Sequence, residues 1–358
     1  MAINAGNKGE WSELYTLGYL LTHGGGYAAD AQQRRIPGSF HRVLEIFVDG
    51  LQSNGFRTYR ISEDLVEIHS DSTIVGIVER KKIGELIERV LDDLTSNLNS
   101  KTFLLESGSQ LMALLARDRI AASSRQKSHD LELILVGRQG EIPSPRVGFS
   151  VKSQIGSPST LLNASGATNL TYRLTGHSAE KKRDLDELIG KRGKALFSSI
   201  RELGYSLVLD GFDNKQFEKN LQKIDSRMPN YLAEVIESFY FGAESQLANI
   251  ARVAYPPGDE ASEQPIFKLK QLLGAVAMGM RPSQSWDGDI TKFKGMILVK
   301  TDGDVLFYYL YNVSEFQDFL FENVKLEQAS NGRHNFGRVY EEDGLMKIKL
   351  NLQIRFTR

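Results

Sequence analysis

The 358-residue chain predicts an α/β or α+β fold: a mixed β-sheet core flanked by helices, then a helical middle segment and a strand-rich C-terminal part. Apolar residues recur at helical spacing near the N-terminus, with alternating patterns and a hairpin following them. Long charged helical patterns occupy residues 180–250, and strand patterns return after residue 295.

Each element has its own signal. Leu14, Leu17, Gly18, Leu20 and Leu21 mark one face of a helix over 9–22, and the glycines at 24–26 stop it. "SFHRVLEIFVDGLQSNG" (39–55) reads as a second helix stopped by Gly55, and "FRTYRISEDLVEIH" as strand. "KIGELIERVLDDLTSNL" predicts a strong helix, with another near 107–118. "DLELILVG", the polar turn "RQGEIPSPR" and "VGFSVKS" form a hairpin. "YPPGDEASEQP" (255–265) is the best linker candidate. The tail gives two strands around "TDGD", a short helix in "SEFQDFLFENV", and a final pair around "EEDG". These signals suggest three parts, 1–178, 179–265 and 266–358, or one compact domain.

Composition excludes several classes. There is no cysteine, so disulfides and thiolate zinc sites are out, and a reducing cytoplasm is expected. No signal peptide is evident, and no run approaches the roughly 20 apolar residues of a membrane span. The net charge of −1 argues against non-specific coating of nucleic acid but allows positive charge gathered in one cleft. No GxxxxGK[ST] loop or GxGxxG turn occurs, and the six histidines show no metal-ligand spacing.

The hairpin carries the chemistry. Residues two apart on a strand face the same way, so Ser150, Lys152 and Gln154 share a face while Phe149 and Val151 point into the core. Asp130 and Glu132 share a face of the preceding strand. An Asp, a second acid, a Lys and a Gln can thus gather on one surface. Carboxylate oxygens suit a hard divalent cation, and a nearby lysine can orient water or stabilise developing charge. The plain alternative is a solvated strand lysine beside a turn aspartate.

Asp130 with "FSVKS" resembles the Asp…(Asp/Glu)-x-Lys hairpin of the PD-(D/E)XK nuclease superfamily. Three blocks, "GNKGEWSELY" (6–15), 129–172, and "NGRHNFGRVYEEDG" with "IKLNLQIRF" in 331–356, are similar to the HpaII-like type II restriction endonucleases. The resemblance implies a PD-(D/E)XK core and Mg²⁺-dependent cleavage of double-stranded DNA at a short palindrome, CCGG for the family's namesake. It further implies a DNA methyltransferase as companion, and a palindromic target suggests a homodimer. Asp130 takes the place of the metal-binding aspartate and Lys152 that of the lysine. Ser150 stands where an acid is expected. Gln154, Glu132 or Glu13 could replace it. Glu13 is favoured because "KGEWSE" has the KGxxxE spacing by which some superfamily members bring a helix glutamate to the metal, with Glu10 the runner-up; both could equally be acids at a helix N-terminus. Trp11 is expected to pack and fix this helix over the hairpin.

Candidate DNA contacts are Arg333, His334 and Asn335, and Ser157, Ser159, Thr160 and Asn163 in the small polar stretch after the hairpin. The basic clusters "EKKR" and "GKRGK" at 180–194 could meet phosphates. Two other readings stay open. A junction or repair nuclease of the same superfamily would cut by DNA structure, and a site-specific DNA-binding protein with a dead site would bind without cutting.

Overall fold

A computed structural model of the chain describes residues 5–49, 56–97, 101–121, 129–136, 143–176, 181–288, 295–309, 313–329 and 336–357. In chain order its elements are α1 (Lys8–His23), β1 (Gly25–Ala29), β2 (Arg35–Asp49), β3 (Phe56–Ile61), β4 (Leu65–Ser70), β5 (Thr73–Glu79), α2 (Arg80–Ser96), α3 (Glu106–Leu114), β6 (Leu131–Leu135) and β7 (Val147–Ser153). There follow β8 (Thr160–Leu162), β9 (Asn169–Thr175), α4 (Lys181–Leu188), α5 (Gly193–Glu202), β10 (Ser206–Phe212), α6 (Lys215–Ile224), α7 (Met228–Phe241), α8 (Leu247–Ala254) and α9 (Glu260–Ala277). The last are β11 (Gly295–Val299), β12 (Val305–Tyr309), α10 (Val313–Asn323), β13 (Val324–Leu326), β14 (Val339–Glu342), β15 (Leu345–Asn351) and β16 (Ile354–Phe356). This is the expected mixture of helices and a large mixed sheet.

The chain forms two compact units. The first comprises the described residues up to Ser159 and those between Thr291 and Phe316; the second comprises Thr160–Ile290 and Gln317–Thr357. In the first, nine strands run in the order β1-β12-β11-β7-β6-β2-β3-β4-β5, and β1 also pairs with β2. That extra pairing closes six strands into a ring. It is possible because the first half of the 15-residue β2 pairs with β1 and the second half with β6 and β3. The second unit holds an antiparallel sheet β10-β9-β15-β14 and a small sheet β13-β16-β8 among its helices.

The segment expected as a second helix is β2. A bulge between Val43 and Glu45 shifts its register against β6, so Val43 and Ile46, three apart, are both buried. Spacing of three imitates a helical face, which is why the sequence pattern misleads there. Residues 255–265 are not a linker between units. Both sides lie in the second unit, and α9 begins at Glu260 with Pro265 inside it. The two expected hairpin turns are present, Gly303 at φ 85° and Asp343–Gly344 at φ 52° and 72°. Among the described residues no helix is long and apolar enough to cross a membrane.

The core of the first unit joins Trp11, Leu14, Leu17 and Leu20 of α1 to Ile83, Ile87 and Val90 of α2 and to Phe149 and Val151 of β7. Trp11 is fully buried, and its indole donates to the Phe103 carbonyl at 3.2 Å. It packs as expected, against Gly108 of α3, in the same cluster as Phe149 and Val151 of the hairpin. Gly18 lets α1 and α2 approach closely, since a Cβ there would lie 2.5 Å from the Ile87 Cγ2. Gly18→Val is expected to lower stability in urea unfolding by about 1–3 kcal/mol. Gly166→Ala, where a Cβ meets nothing within 4 Å, should leave the midpoint nearly unchanged.

Candidate active site

The site lies at the open end of the β6–β7 hairpin. Antiparallel pairing sets Leu131 opposite Phe149 and Glu132 opposite Gly148, and the Asp130 N–H donates to the Phe149 carbonyl at 2.8 Å. Burial along β7 alternates as expected: Val147, Phe149 and Val151 are buried, while Ser150 and Lys152 are half-buried. On its other side β7 pairs in parallel with β11, and Ser150 sits opposite Met296 and Lys152 opposite Leu298. Lys152 therefore lies on an interior strand of the sheet, one residue beyond the Val151 N–H that meets Asp130, with β11 beside its backbone.

Asp130 is anchored by the strand it faces. Its Oδ2 accepts from the Val151 N–H at 2.7 Å and from the Ser150 hydroxyl at 3.2 Å. No described group donates to Oδ1. Ser150 thus holds the aspartate in place, which an acid at that position would repel. The Lys152 ammonium forms no hydrogen bond or ion pair with any described residue. One pinned carboxylate with an open oxygen and one uncommitted cation share this end of the sheet.

The first turn of α1 meets the same end. Ser12 Oγ and Ser153 Oγ share a hydrogen bond of 2.8 Å, and Gly156, at φ 106°, has no Cβ to collide with the Lys8 side chain. Glu13, next to Ser12, is half-buried. Glu10 is used elsewhere: its carboxylate accepts from the Asn7 N–H at 2.8 Å while Asn7 Oδ1 accepts from the Glu10 N–H at 3.0 Å, a complete capping box. Asn7 three residues before Glu10 is the sequence signal for that role.

Glu132 is also committed. One of its oxygens lies 2.6 Å from the His129 Nε2 and the other pairs with Arg146, whose guanidinium stacks 3.9 Å from the Phe47 ring centroid. Both carboxylate oxygens are therefore turned to structural partners. His129 and Arg146 were not singled out from the sequence; Arg146 at the end of the hairpin turn, across from the β6 acids, was the available sign. Gln154 donates through Nε2 to Gln33 Oε1 at 2.8 Å, which leaves its amide oxygen for another group.

A family model, the HpaII restriction endonuclease, matches residues 7–356. The type II restriction enzyme HpaII of Haemophilus parainfluenzae is 30% identical over 361 residues, covering 98% of each chain. The chain belongs to the HpaII restriction endonuclease family. Its enzyme class is accordingly that of the type II site-specific deoxyribonucleases, which are hydrolases. No solved structure matches the chain.

For a member of the HpaII family the donor set can be tested against a divalent metal. Among the described residues no group of three or more His, Asp or Glu side chains is placed to hold an ion. A fully protein-built cage is therefore not formed by them. The open Oδ1 of Asp130 still fits a hard cation that keeps water and substrate phosphate as most of its ligands, as Mg²⁺ does.

Of the expected DNA contacts, Arg333, His334 and Asn335 lie outside the described residues. Ser159 donates to the Ser153 carbonyl at 3.1 Å, and Ser157 is exposed. Thr160 sits in β8 opposite Arg355, and Asn163 is exposed, both within the second unit. In the basic clusters Lys191 is paired with Glu187 at 2.8 Å, while Arg192 and Lys194 are exposed. Glu132→Gln should cost about 1–3 kcal/mol in urea unfolding by removing a charged hydrogen-bond partner. Its cleavage rate should stay within severalfold of wild type, and a collapse of activity at unchanged stability would instead make Glu132 a ligand.

Proposed function

We propose that the chain hydrolyses phosphodiester bonds of double-stranded DNA at a short palindrome, CCGG, with Mg²⁺, through a PD-(D/E)XK hairpin. The observation that carries this reading is the pairing of an anchored Asp130 and a Lys152 on the same strand pair, where among the described residues one Asp130 oxygen has no donor and the Lys152 ammonium no partner. Asp130 is the metal ligand and Glu13 the acid that compensates for Ser150. The Gln154 amide oxygen is a further donor from the end of the same strand. A cation bound there would polarise the phosphate and acidify its water.

Lys152 sits on the strand that fixes Asp130, so its ammonium can hold the attacking water or meet the charge that grows on the phosphate. Ser150 positions Asp130 and carries no charge of its own. Arg333, His334, Asn335, Asn163, Ser159 and Thr160 are the proposed DNA contacts. The enzyme acts in the cytoplasm as a homodimer matched to its two-fold site, beside a methyltransferase that protects the host DNA. Absence of cysteine and the palindromic target support these last points.

Digestion of a plasmid of known sequence tests the reading. Wild type should give discrete fragments in Mg²⁺ and none in EDTA, with ends mapping to CCGG. Asp130→Asn and Lys152→Ala should each lower the rate by about 10²–10³ or more, as loss of one preorganised charge contact does. Sequence-specific binding without cleavage in either Mg²⁺ or Mn²⁺ would establish a dead site. Cutting of branched but not linear duplexes would establish a structure-selective nuclease.

A further inference from the structure

The connection from β1 to β2 carries "DAQQRR" (30–35), which the proposed function leaves unused. Two contacts tie it to the face of Lys152. The Tyr308 hydroxyl donates to the Asp30 carbonyl at 3.0 Å, and Gln154 Nε2 donates to Gln33 Oε1 at 2.8 Å. Tyr308 pairs with Met296 and Met296 with Ser150, so these three side chains stand in one row on one face of the sheet. The turn therefore reaches the surface that bears Ser150 and Lys152.

The turn is stiff. Asp30 Oδ1 accepts from the N–H groups of Gln32 (2.9 Å) and Arg34 (3.0 Å). The backbone closes it from both ends, with Gln33 N–H donating to the Asp30 carbonyl and Asp30 N–H to the Arg34 carbonyl, each at 3.0 Å. Gln33 sits at φ 61°, a conformation that a non-glycine residue holds at a cost and that concentrates at functional sites.

Its two arginines are used differently. Arg35 is paired with Asp304 at 2.7 Å. Arg34 Nε donates to Asp30 Oδ2 at 2.8 Å and one terminal nitrogen reaches Gln32 Oε1 at 3.4 Å, yet its side chain is 73% exposed. A carboxylate that fixes the plane of a guanidinium also offsets its charge and so weakens its attraction for a phosphate. It does suit a bidentate contact with O6 and N7 of guanine, where the fork must be held in one plane.

We propose that the Asp30–Arg34 turn reads sequence in the DNA groove and that Arg34, braced by Asp30, donates to a guanine of the target. This rests on the reading of the chain as a site-specific nuclease. Gln33, bonded to Gln154, links the reading turn to the end of the catalytic strand.

The test compares wild type, Arg34→Ala and Arg34→Lys on the duplex that wild type selects by binding from a random pool in EDTA and on a duplex without that site. Binding is read by fluorescence anisotropy in EDTA, separately from cleavage in Mg²⁺. Both variants should bind and cut the site roughly ten- to a hundredfold less well, with affinity for the unrelated duplex nearly unchanged. Replacing the site guanines by 7-deazaguanine, which lacks the N7 acceptor, should weaken wild type but cost Arg34→Ala no more. Wild-type behaviour of Arg34→Ala, rescue by lysine, or equal losses on both duplexes would overturn the proposal. A wild type that binds its site without cutting overturns the nuclease reading, and the Arg34 binding comparison still decides the turn. No sequence preference in wild type overturns both.

Discussion

Pairing of Leu131 with Phe149 fixes which side of β7 faces the core, and the site inherits its geometry from that rung. With this register the Val151 N–H reaches Asp130, Phe149 and Val151 complete the apolar cluster, and Lys152 stands on the opposite face. A slip by one residue would drive Lys152 into the core and expose Val151. Desolvating an unpaired ammonium there costs several kcal/mol, so the slipped register is strongly disfavoured. The apolar residues that stabilise the sheet are thus also the ones that present the lysine. β11, paired in parallel on the far side of β7, removes the freedom of an edge strand and makes the placement rigid.

The helix over this sheet solves a related problem. Ser12 and Thr16 are fully buried on α1, and each hydroxyl donates to the carbonyl four residues earlier at 2.7 Å. Ser12 also meets Ser153, which in turn accepts from the Ile155 N–H at 3.0 Å. A small hydroxyl pair lets the helix start come close to the strand end, where a larger polar residue would hold them apart. Glu13 follows Ser12 in the chain, while Glu10 is spent on the cap.

The hairpin was legible because its information is local. Residues two apart must alternate, and Asp130, Ser150 and Lys152 follow that rule without help from the rest of the chain. β2 was not legible, since its bulge breaks the alternation and its pairing partners are distant in sequence. The fate of Glu132 was half legible. Its face was readable, but its commitment to Arg146 and His129 depends on a cross-strand neighbour and on the Phe47 ring that Arg146 covers. The capping box at Asn7 and Glu10 was written plainly in the sequence, and the attraction of the KGxxxE spacing obscured it.

Closure of the ring explains why a loop far from the hairpin in sequence stands beside it in space. β2 can join β1 to β6 because the bulge between Val43 and Glu45 lets it turn from one partner to the other while keeping Val43 and Ile46 buried. β1 in turn lies parallel to β12, and β12 carries Tyr308 in the row of Ser150. The β1–β2 connection must then pass near the face of Lys152, and the Tyr308 and Gln154 hydrogen bonds hold it there. A straight β2 with strict alternation would expose one of Val43 and Ile46, and the loss of about 1.5–3 kcal/mol for an exposed aliphatic side chain would favour the bulged path. The apolar spacing that hid this strand from the sequence reading is therefore the same feature that carries the Asp30–Arg34 turn to the face of Lys152.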